Sequence, residues 1–254
     1  MKKIKRAAIL IATAVLACGA VAFSACKNES GDLNKNDGGV KVNQTQWQER
    51  LTINVENYDN LTIVDSRYPT YSKSEAAEYG EWESYKSISK VDNKAQVCYD
   101  SYTRETYAPN NNTAVNGFVK FEETKYTFEY NGKYFEWGDT WFEYNVRELT
   151  KAEFLSTIEN ASGGLAMASM YASMFNSFNY NNETNTYDIV QAGTMSLSIQ
   201  FPKSGGIKFI SQNNSLERAE MSIEKLNSTT VTVPQQAYTD VDAYLANKNS
   251  NGNN

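Results

Sequence analysis

The chain has 254 residues, of which 24 are Lys or Arg and 30 are Asp or Glu, so its formal net charge is −6. Such an acidic balance argues against nucleic-acid binding, because contacts to phosphates need clustered Lys and Arg side chains. Histidine is absent. That absence excludes Ser-His-Asp and Cys-His catalysis, histidine-ligated zinc and a histidine acid or base.

The first 26 residues have the pattern of an export signal. An apolar run covers residues 7–23, small residues close it, and four basic residues precede it: Lys2, Lys3, Lys5 and Arg6. The ending Phe23-Ser24-Ala25-Cys26 resembles the lipobox of bacterial lipoproteins, although Leu is more usual than Phe at its first position. This resemblance implies cleavage before Cys26 and acylation of its thiol. Ordinary cleavage is the alternative, and Cys18 fits lipidation less well because it would cut the apolar run in half.

We therefore expect residues 1–25 to be removed and Cys26 to hold the protein on the extracytoplasmic face of the cell membrane. The signal takes four basic charges with it, so the net charge of the mature chain becomes −10. We expect two acyl chains to provide the membrane contact, since each buried methylene contributes about 0.8 kcal/mol. No second apolar stretch approaches the ~18 residues of a transmembrane helix. Cys98 is then the one remaining cysteine, and its strand-like surroundings predict a buried structural thiol.

Composition divides the mature chain into three parts. Residues 26–43 contain the lipidated Cys26 and a polar stretch rich in Asn, Gly, Asp and Ser, which predicts a flexible tether. Treated as a coil, its ~17 residues would reach roughly 20–25 Å. Residues 44–246 are predicted to form one α+β domain, and residues 247–254 a disordered tail.

The first half of the domain predicts a helix followed by strands. A helix is expected over residues 44–55, where apolar residues recur every four positions. Period-two alternation then predicts strands at 61–65, 85–90 and 95–102. Residues 118–145 carry the clearest strand signal, with Asn131-Gly132 as a hairpin turn whose two positions need positive φ. A further strand is expected over residues 141–144.

A helical pair interrupts the strands. Thr150 and Glu153 form a capping-box pattern at the start of the first helix. Gly163-Gly164 ends it, and a second helix is expected from residue 165 to about 178. This second helix has apolar residues on nearly every side, which predicts that it is buried on both sides or covers an apolar cavity.

The chain then returns to strands. Alternation predicts strands near residues 194–201, 207–211, 219–223 and 229–233, the last of which ends at Pro234. A final helix is expected over residues 240–246 with Thr239 as its cap.

This order of elements resembles the LolA/LprG-like family of bacterial lipid carriers and lipoproteins over about residues 44–235. The likeness lies in the lipobox, the helical interruption and the closing segment of residues 229–234. It implies a curved antiparallel sheet, a half-barrel, whose helices cover the concave face over an apolar cavity. Since LolA itself lacks a lipidated cysteine, the likeness is to the lipoprotein branch.

If such a cavity exists, Met-rich side chains suit an acyl chain because they are flexible and polarizable, although they equally fill an ordinary core. The residues expected to line it from the helical side are Phe154, Ile158, Leu165, Met167, Met170 and Met174. Strand aromatics would face them: Phe128, Phe135 and Trp137. No metal, cofactor or catalytic residue is predicted.

One enzyme pattern is present in outline. Ser87-Ile88-Ser89-Lys90 fits S-x-x-K, and S-x-N and K-S-G matches follow in the order of penicillin-binding proteins and serine β-lactamases. That chemistry needs Ser and Lys one helical turn apart, whereas the alternation around Ser87 predicts a strand and places Lys90 on the opposite face.

The sequence thus predicts a non-enzymatic, membrane-anchored lipoprotein that binds or transfers an apolar ligand such as a lipid. Two alternatives stay open: a surface module that binds sugar or protein, and a sensor or scaffold domain without its own ligand. The placement of the aromatic residues distinguishes lipid binding from sugar binding. Their side chains would enter a closed cavity in a lipid-binding protein but would lie on an exposed sheet face in a sugar-binding module.

Overall fold

A computed structural model of the chain describes residues 39–52, 59–139, 145–161, 164–189, 195–213 and 217–251. The signal, Cys26, and the strand expected over residues 141–144 therefore lie outside the described residues. In the described part the protein is α+β, with a large open antiparallel sheet of eleven strands and five α-helices. The predicted fold class is confirmed at this level.

The sheet consists of two meanders joined at its centre. Its strand order is β6-β5-β4-β3-β2-β1-β11-β10-β9-β8-β7, and every described pair is antiparallel. The strands of the first meander are β1 (Asn60–Pro69), β2 (Glu83–Asp92), β3 (Val97–Tyr107), β4 (Phe118–Tyr130), β5 (Lys133–Asp139) and β6 (Val146–Leu149). Those of the second are β7 (Phe178–Asn181), β8 (Thr186–Ile189), β9 (Met195–Gln200), β10 (Ile207–Asn213) and β11 (Glu217–Glu224).

The described helices lie before β1, in the β1–β2 and β6–β7 connections and after β11. They are α1 (Gln44–Leu51), α2 (Ala76–Tyr79), α3 (Lys151–Ala161), α4 (Gly164–Tyr171) and α5 (Gln235–Asn251). Two short 3₁₀ helices are formed by Lys73–Glu75 and Phe175–Ser177. The pair α3 and α4 connects β6 to β7, which are the two ends of the strand order.

Local sequence signals account for several boundaries. Asn43 caps α1, because its side chain accepts from the Gln46 amide and Gln46 bonds back to the Asn43 amide. Thr150 and Glu153 form the predicted capping box at α3, with bonds of 2.9 and 3.2 Å. Asn131 and Gly132 both have positive φ, 52° and 73°, so the predicted β4–β5 hairpin turn is confirmed.

Three predicted elements differ. The second helix ends at Tyr171, well before residue 178, and Phe178 begins β7, a short strand that alternation did not reveal. The segment 229–233 forms no strand, because β1 already pairs with β2 and β11 and the Thr229 amide instead donates to Asn60 Oδ1. The last helix begins earlier and ends later than expected, and Thr239 lies inside it, donating to the Gln235 carbonyl.

The two faces of the sheet carry different helices. We call the side that packs against α3 and α4 the α3–α4 face, and α1 and the second 3₁₀ helix also pack there. The opposite side, which we call the α5 face, packs against Ala237 and Val241 of α5 through β3, β4, β5 and β6. The apolar residues of the sheet therefore belong to separate clusters on two faces.

Two buried threonines in the sheet differ in one respect. Thr62 of β1 is 4 % exposed, and its hydroxyl lies 2.8 Å from that of Thr229. Thr127 of β4 is fully buried, and its hydroxyl finds no hydrogen-bond partner among the described residues. An unmade buried hydrogen bond costs free energy, whereas a made one stabilises.

We therefore expect Thr127→Val to raise the free energy of unfolding by about 1 kcal/mol. The matched substitution Thr62→Val should lower it by about 1 kcal/mol, because it removes the bond to Thr229. Urea unfolding followed by circular dichroism measures both. A lower stability for Thr127→Val would show that its hydroxyl is satisfied in the folded protein.

Candidate functional site

The predicted lining residues of α3 are part of a compact core cluster. Phe154 and Ile158 are 1 % and 7 % exposed and pack with Val91, Cys98 and Leu149 on the α3–α4 face. Tyr134 stacks on the Phe154 ring with centroids 4.5 Å apart. These side chains hold α3 against β2, β3 and β6.

Helix α4 covers the largest apolar cluster. Leu165 is 2 % exposed and belongs to this cluster, and Met167 and Met174 pack against it while partly buried. Met170 is different, since it points outward and is 55 % exposed. Three of the four predicted side chains of this segment therefore face the sheet, and Met170 does not.

The cluster beneath α4 is centred on Trp47 of α1. Its ring lies 5.0–5.7 Å from the rings of four neighbours, which are Phe175, Phe178, Tyr187 and Phe201. The indole Nε1 donates to the Tyr171 carbonyl at the end of α4, at 2.9 Å. The contact ties α1 to α4, and the aromatic rings fill the space between helix and sheet.

The three strand aromatics that were expected to line the cavity lie on the α5 face of the sheet, opposite α3 and α4. Phe128 and Phe135 are 2 % and 0 % exposed in the cluster beneath α5, and Trp137 donates its Nε1 proton to Asp240 of α5 at 2.7 Å. Phe128 pairs with Phe135 in register, so both point to the α5 face. The expectation that these three face the helical residues is wrong, because alternation reveals that side chains share a face but not which helix covers it.

Beyond the helices, the α3–α4 face carries polar side chains that we call the polar tract: Asp65, Tyr85, Ser89, Asp100, Lys125 and Glu136. Asp65 of β1 is within 3.5 Å of the Tyr85 hydroxyl, which donates to it. Burial raises the pKa of Asp65, although the nearby Arg67 charge and the Tyr85 bond partly offset this. Burial together with the Asp65 charge raises the pKa of Tyr85 to about 12.

The remaining members of the polar tract are paired with one another. Ser89 donates to Asp100 at 2.7 Å, and the Cys98 thiol lies 3.6 Å from the other Asp100 oxygen. Lys125 Nζ is 3.3 Å from Glu136. Burial alone would lower the pKa of Lys125, but the Glu136 and Asp100 carboxylates more than offset it and raise that pKa.

Cys98 is buried as predicted, with no exposed surface. Burial and the neighbouring Asp100 charge raise the pKa of its thiol well above the ordinary value. A thiol held in its protonated form is a weak nucleophile. Cys98 is accordingly an inert part of the core.

The S-x-x-K match has no active-site geometry. Ser87 and Lys90 lie in β2, opposite Tyr102 and Tyr99 respectively, so they point to different faces of the sheet. In the part of the chain that the structure describes, no three His, Cys, Asp or Glu side chains are placed to hold a metal ion. Nor is any helix there long and apolar enough to cross a membrane.

Two surface depressions lie away from the expected cavity. One, of about 820 Å³, is lined by residues near the β3–β4 hairpin that include Lys73, Glu105, Tyr107 and Phe118. Its Lys73 ammonium already pairs with Glu105 and lies 5.2 Å from the Phe118 ring centroid. The other, of about 270 Å³, lies between α1 and β10. Neither includes a residue predicted to contact lipid.

Comparison with known proteins assigns this chain to no family. The sequence matches no protein-family model, and no curated protein matches it.

Sequence reasoning missed the polar tract. Asp65, Ser89 and Asp100 each occupy an alternating strand position, where a polar residue ordinarily faces solvent. Nothing in the sequence indicates that these positions share the face covered by α3. The register of β1 with β2 and of β2 with β3 aligns them.

The pKa of Asp65 predicts how its replacement acts. Because the folded-state pKa is raised, the charged form at neutral pH costs stability, and this cost disappears as pH falls through the folded pKa. We expect Asp65→Asn to raise the free energy of unfolding at pH 7. This gain in stability should shrink as the pH is lowered from the raised folded-state pKa of Asp65 towards its ordinary pKa of 3.8. Urea unfolding at a series of pH values measures it.

Glu153→Gln provides a control of opposite sign. The bonds from the Thr150 amide and hydroxyl lower the pKa of Glu153, so its charged form stabilises the fold at neutral pH. The Gln variant should be less stable at pH 7, and the difference should be lost as pH falls from the ordinary pKa of 4.5 through the lowered pKa of the folded protein. A pH-independent gain for Asp65→Asn would contradict the assignment to its charge.

Proposed function

We propose that this protein is a membrane-anchored extracytoplasmic lipoprotein that binds or transfers an apolar ligand such as a lipid, without enzymatic activity. Acyl chains on Cys26 hold it on the membrane, and it does not act on nucleic acid. The LolA/LprG-like resemblance of the sequence supports this proposal. So does an open antiparallel sheet with two connected helices across one face.

One observation carries the proposal. The largest apolar cluster of the domain lies beneath α1 and α4, and α4 is a helix of only eight residues that contains no charge. Short helices are marginal on their own and depend on the packing of their apolar side. A ligand that offers equivalent apolar contacts can therefore replace this packing at little cost.

Methionine makes such replacement possible. Met167 of α4 and Met174 in the turn after it both pack against this cluster while only partly buried. Their unbranched side chains can move aside with little strain. We propose that an acyl chain enters where these two side chains now pack, next to Tyr171 and Phe175. The buried strand side chains of the same cluster, among them Ile199, Phe209 and Ile223, then form the fixed wall of the site.

The unlipidated chain of residues 27–254 tests the proposal. We expect native mass spectrometry to detect about one lipid per chain, either retained on purification or taken up after extraction with organic solvent. Met167→Glu or Met174→Glu should abolish this complex, because a buried carboxylate cannot sit beside an acyl chain without a large desolvation cost.

Met170→Glu is the matched control, since its side chain is exposed on the same segment. It should retain the lipid with unchanged thermal stability. A folded protein that neither carries nor accepts lipid would contradict the proposal. Equal loss of lipid from the control would place the contact on the outer surface of α4.

A second candidate is sugar binding on the open part of the α3–α4 face. The ring of Tyr102 is 36 % exposed and lies 6.3 Å from that of Tyr85. Arg67 lies 5.2 Å from the Tyr85 ring, and its Nε is 2.9 Å from Glu217 but outside hydrogen-bond geometry. An exposed ring beside a partly buried ring and a planar guanidinium suits a sugar ring. Calorimetry against a glycan panel, with Tyr102→Ala as the variant that loses binding, separates this from lipid binding.

A further inference from the structure

Asp65 of β1 is a partly buried carboxylate without a salt bridge among the described residues. The basic residue of the same strand, Arg67, pairs with Glu217 instead, with Nε and Oε1 2.9 Å apart. In the described part of the chain one side chain donates to Asp65, the Tyr85 hydroxyl, and this contact is long at 3.5 Å. Buried charges are ordinarily paired, because their desolvation costs free energy. The fold therefore leaves the charge of Asp65 poorly compensated.

The other basic side chains near Asp65 on this face are already paired. The register of β1 to β4 places Arg104 and Lys125 on the same face as Asp65, and these are the other basic residues that the described parts of β1 to β5 carry there. Arg104 pairs with Glu83, and Lys125 pairs with Glu136. A cation from outside the chain can supply the charge that Asp65 lacks.

Two hydroxyl groups adjoin the Asp65 carboxylate. Ser87 of β2 lies directly opposite Asp65, and the Cβ atoms of such cross-strand partners are about 5 Å apart. Tyr85 donates its hydroxyl proton to Asp65 and keeps its acceptor lone pairs. A carboxylate and two hydroxyl oxygens match the three donors of a primary ammonium group. A metal ion fits less well, because no three His, Cys, Asp or Glu side chains of the described residues are placed to hold one.

Asp65 also borders the large apolar cluster. Ile63, two residues earlier on the same face of β1, is a buried member of this cluster and lies about 7 Å away along the strand. Met221 of β11, directly opposite Asp65, packs against the same cluster. Helix α4, beneath which we propose that the acyl chain binds, contacts β11. The polar end of such a ligand can therefore reach Asp65 along the α3–α4 face.

We infer that the apolar ligand carries an ammonium group, which binds Asp65, Ser87 and Tyr85 while its acyl chain lies beneath α4. This inference deepens the proposed lipid binding and rests on it. It gives a role to a carboxylate that costs the free protein stability, because the same charge attracts the ligand. Ionisable groups with such perturbed titration beside a binding region are typical of functional sites.

Three amphiphiles with the same dodecyl chain test the inference on the unlipidated chain of residues 27–254. They are dodecylammonium, dodecanoate and an uncharged dodecyl ether of ethylene glycol. Isothermal titration calorimetry below the critical micelle concentrations measures each Kd, and circular dichroism checks that the protein stays folded. Dodecylammonium should bind about tenfold or more tightly than the ether, because a charge-assisted hydrogen bond is stronger than a neutral one. Dodecanoate should bind least tightly.

Two variants place the preference on Asp65. Asp65→Asn should reduce the affinity for dodecylammonium to that of the ether and leave the ether unchanged. Its fold is expected to be at least as stable as that of the parent protein, since the charge it removes is a cost. Glu123→Gln is the matched control, because it removes the same charge from the same face, on β4 opposite Tyr102. It should keep the preference for dodecylammonium.

The outcomes separate this inference from the proposed lipid binding. If the three amphiphiles bind alike, or dodecanoate binds most tightly, the inference is overturned and lipid binding stands. Equal loss of the preference in both variants would also overturn it, by assigning the preference to overall charge. If none of the three binds to the folded protein, lipid binding fails and the inference fails with it.

Discussion

A wide sheet has two faces, and the apolar side chains on each must be kept from water. In this protein the eleven strands place one large and one small apolar cluster on the α3–α4 face and a third on the α5 face. Each cluster has its own helical cover. Helices α4 and α1 cover the large cluster, α3 covers the small cluster on the same face, and α5 covers the cluster on the opposite face. Burial of apolar surface is the dominant favourable term in folding, so the positions of α1, α3, α4 and α5 follow from where strand alternation leaves apolar residues exposed.

The three covers are not equivalent. Helix α5 has 17 residues and is fixed by polar bonds at both ends, from Trp137 to Asp240 and from Lys248 to Glu148. Helix α3 begins with a complete capping box. Helix α4 has eight residues, and methionines supply part of its packing. Of these covers, α4 is the shortest, and for this reason we propose it as the one that a ligand replaces.

Local signals predicted much of this fold. The Asn131-Gly132 turn, the capping box at Thr150 and the alternation of β4 and β5 each depend on neighbours in sequence, and each is confirmed. The four-residue strands β6, β7 and β8 were missed because so few residues cannot establish a period. The assignment of faces was missed for a different reason. It depends on which helix covers which patch, a long-range outcome that put Phe128, Phe135 and Trp137 beneath α5.

The candidate site was predictable only in part. The uncharged, Met-rich character of α4 is a sequence property, and it made Leu165, Met167, Met170 and Met174 candidates for cavity lining; in the structure Leu165 belongs to the large apolar cluster and Met167 and Met174 pack against it. The orientation of Met170 was not predictable, because a helix that is apolar nearly all round gives no indication of its outer side. The polar tract depends on the register of five strands, β1 to β5, which no local pattern specifies.

Hydrogen–deuterium exchange on residues 27–254, with and without added lipid, tests most directly whether α4 is a replaceable cover. The account predicts that amides of α4 exchange much faster than those of β1 and β11 in the free protein, and that lipid slows them selectively. If α4 exchanges as slowly as the central strands, and lipid changes nothing, then α4 is a permanent part of the core and the lipid-binding account is wrong.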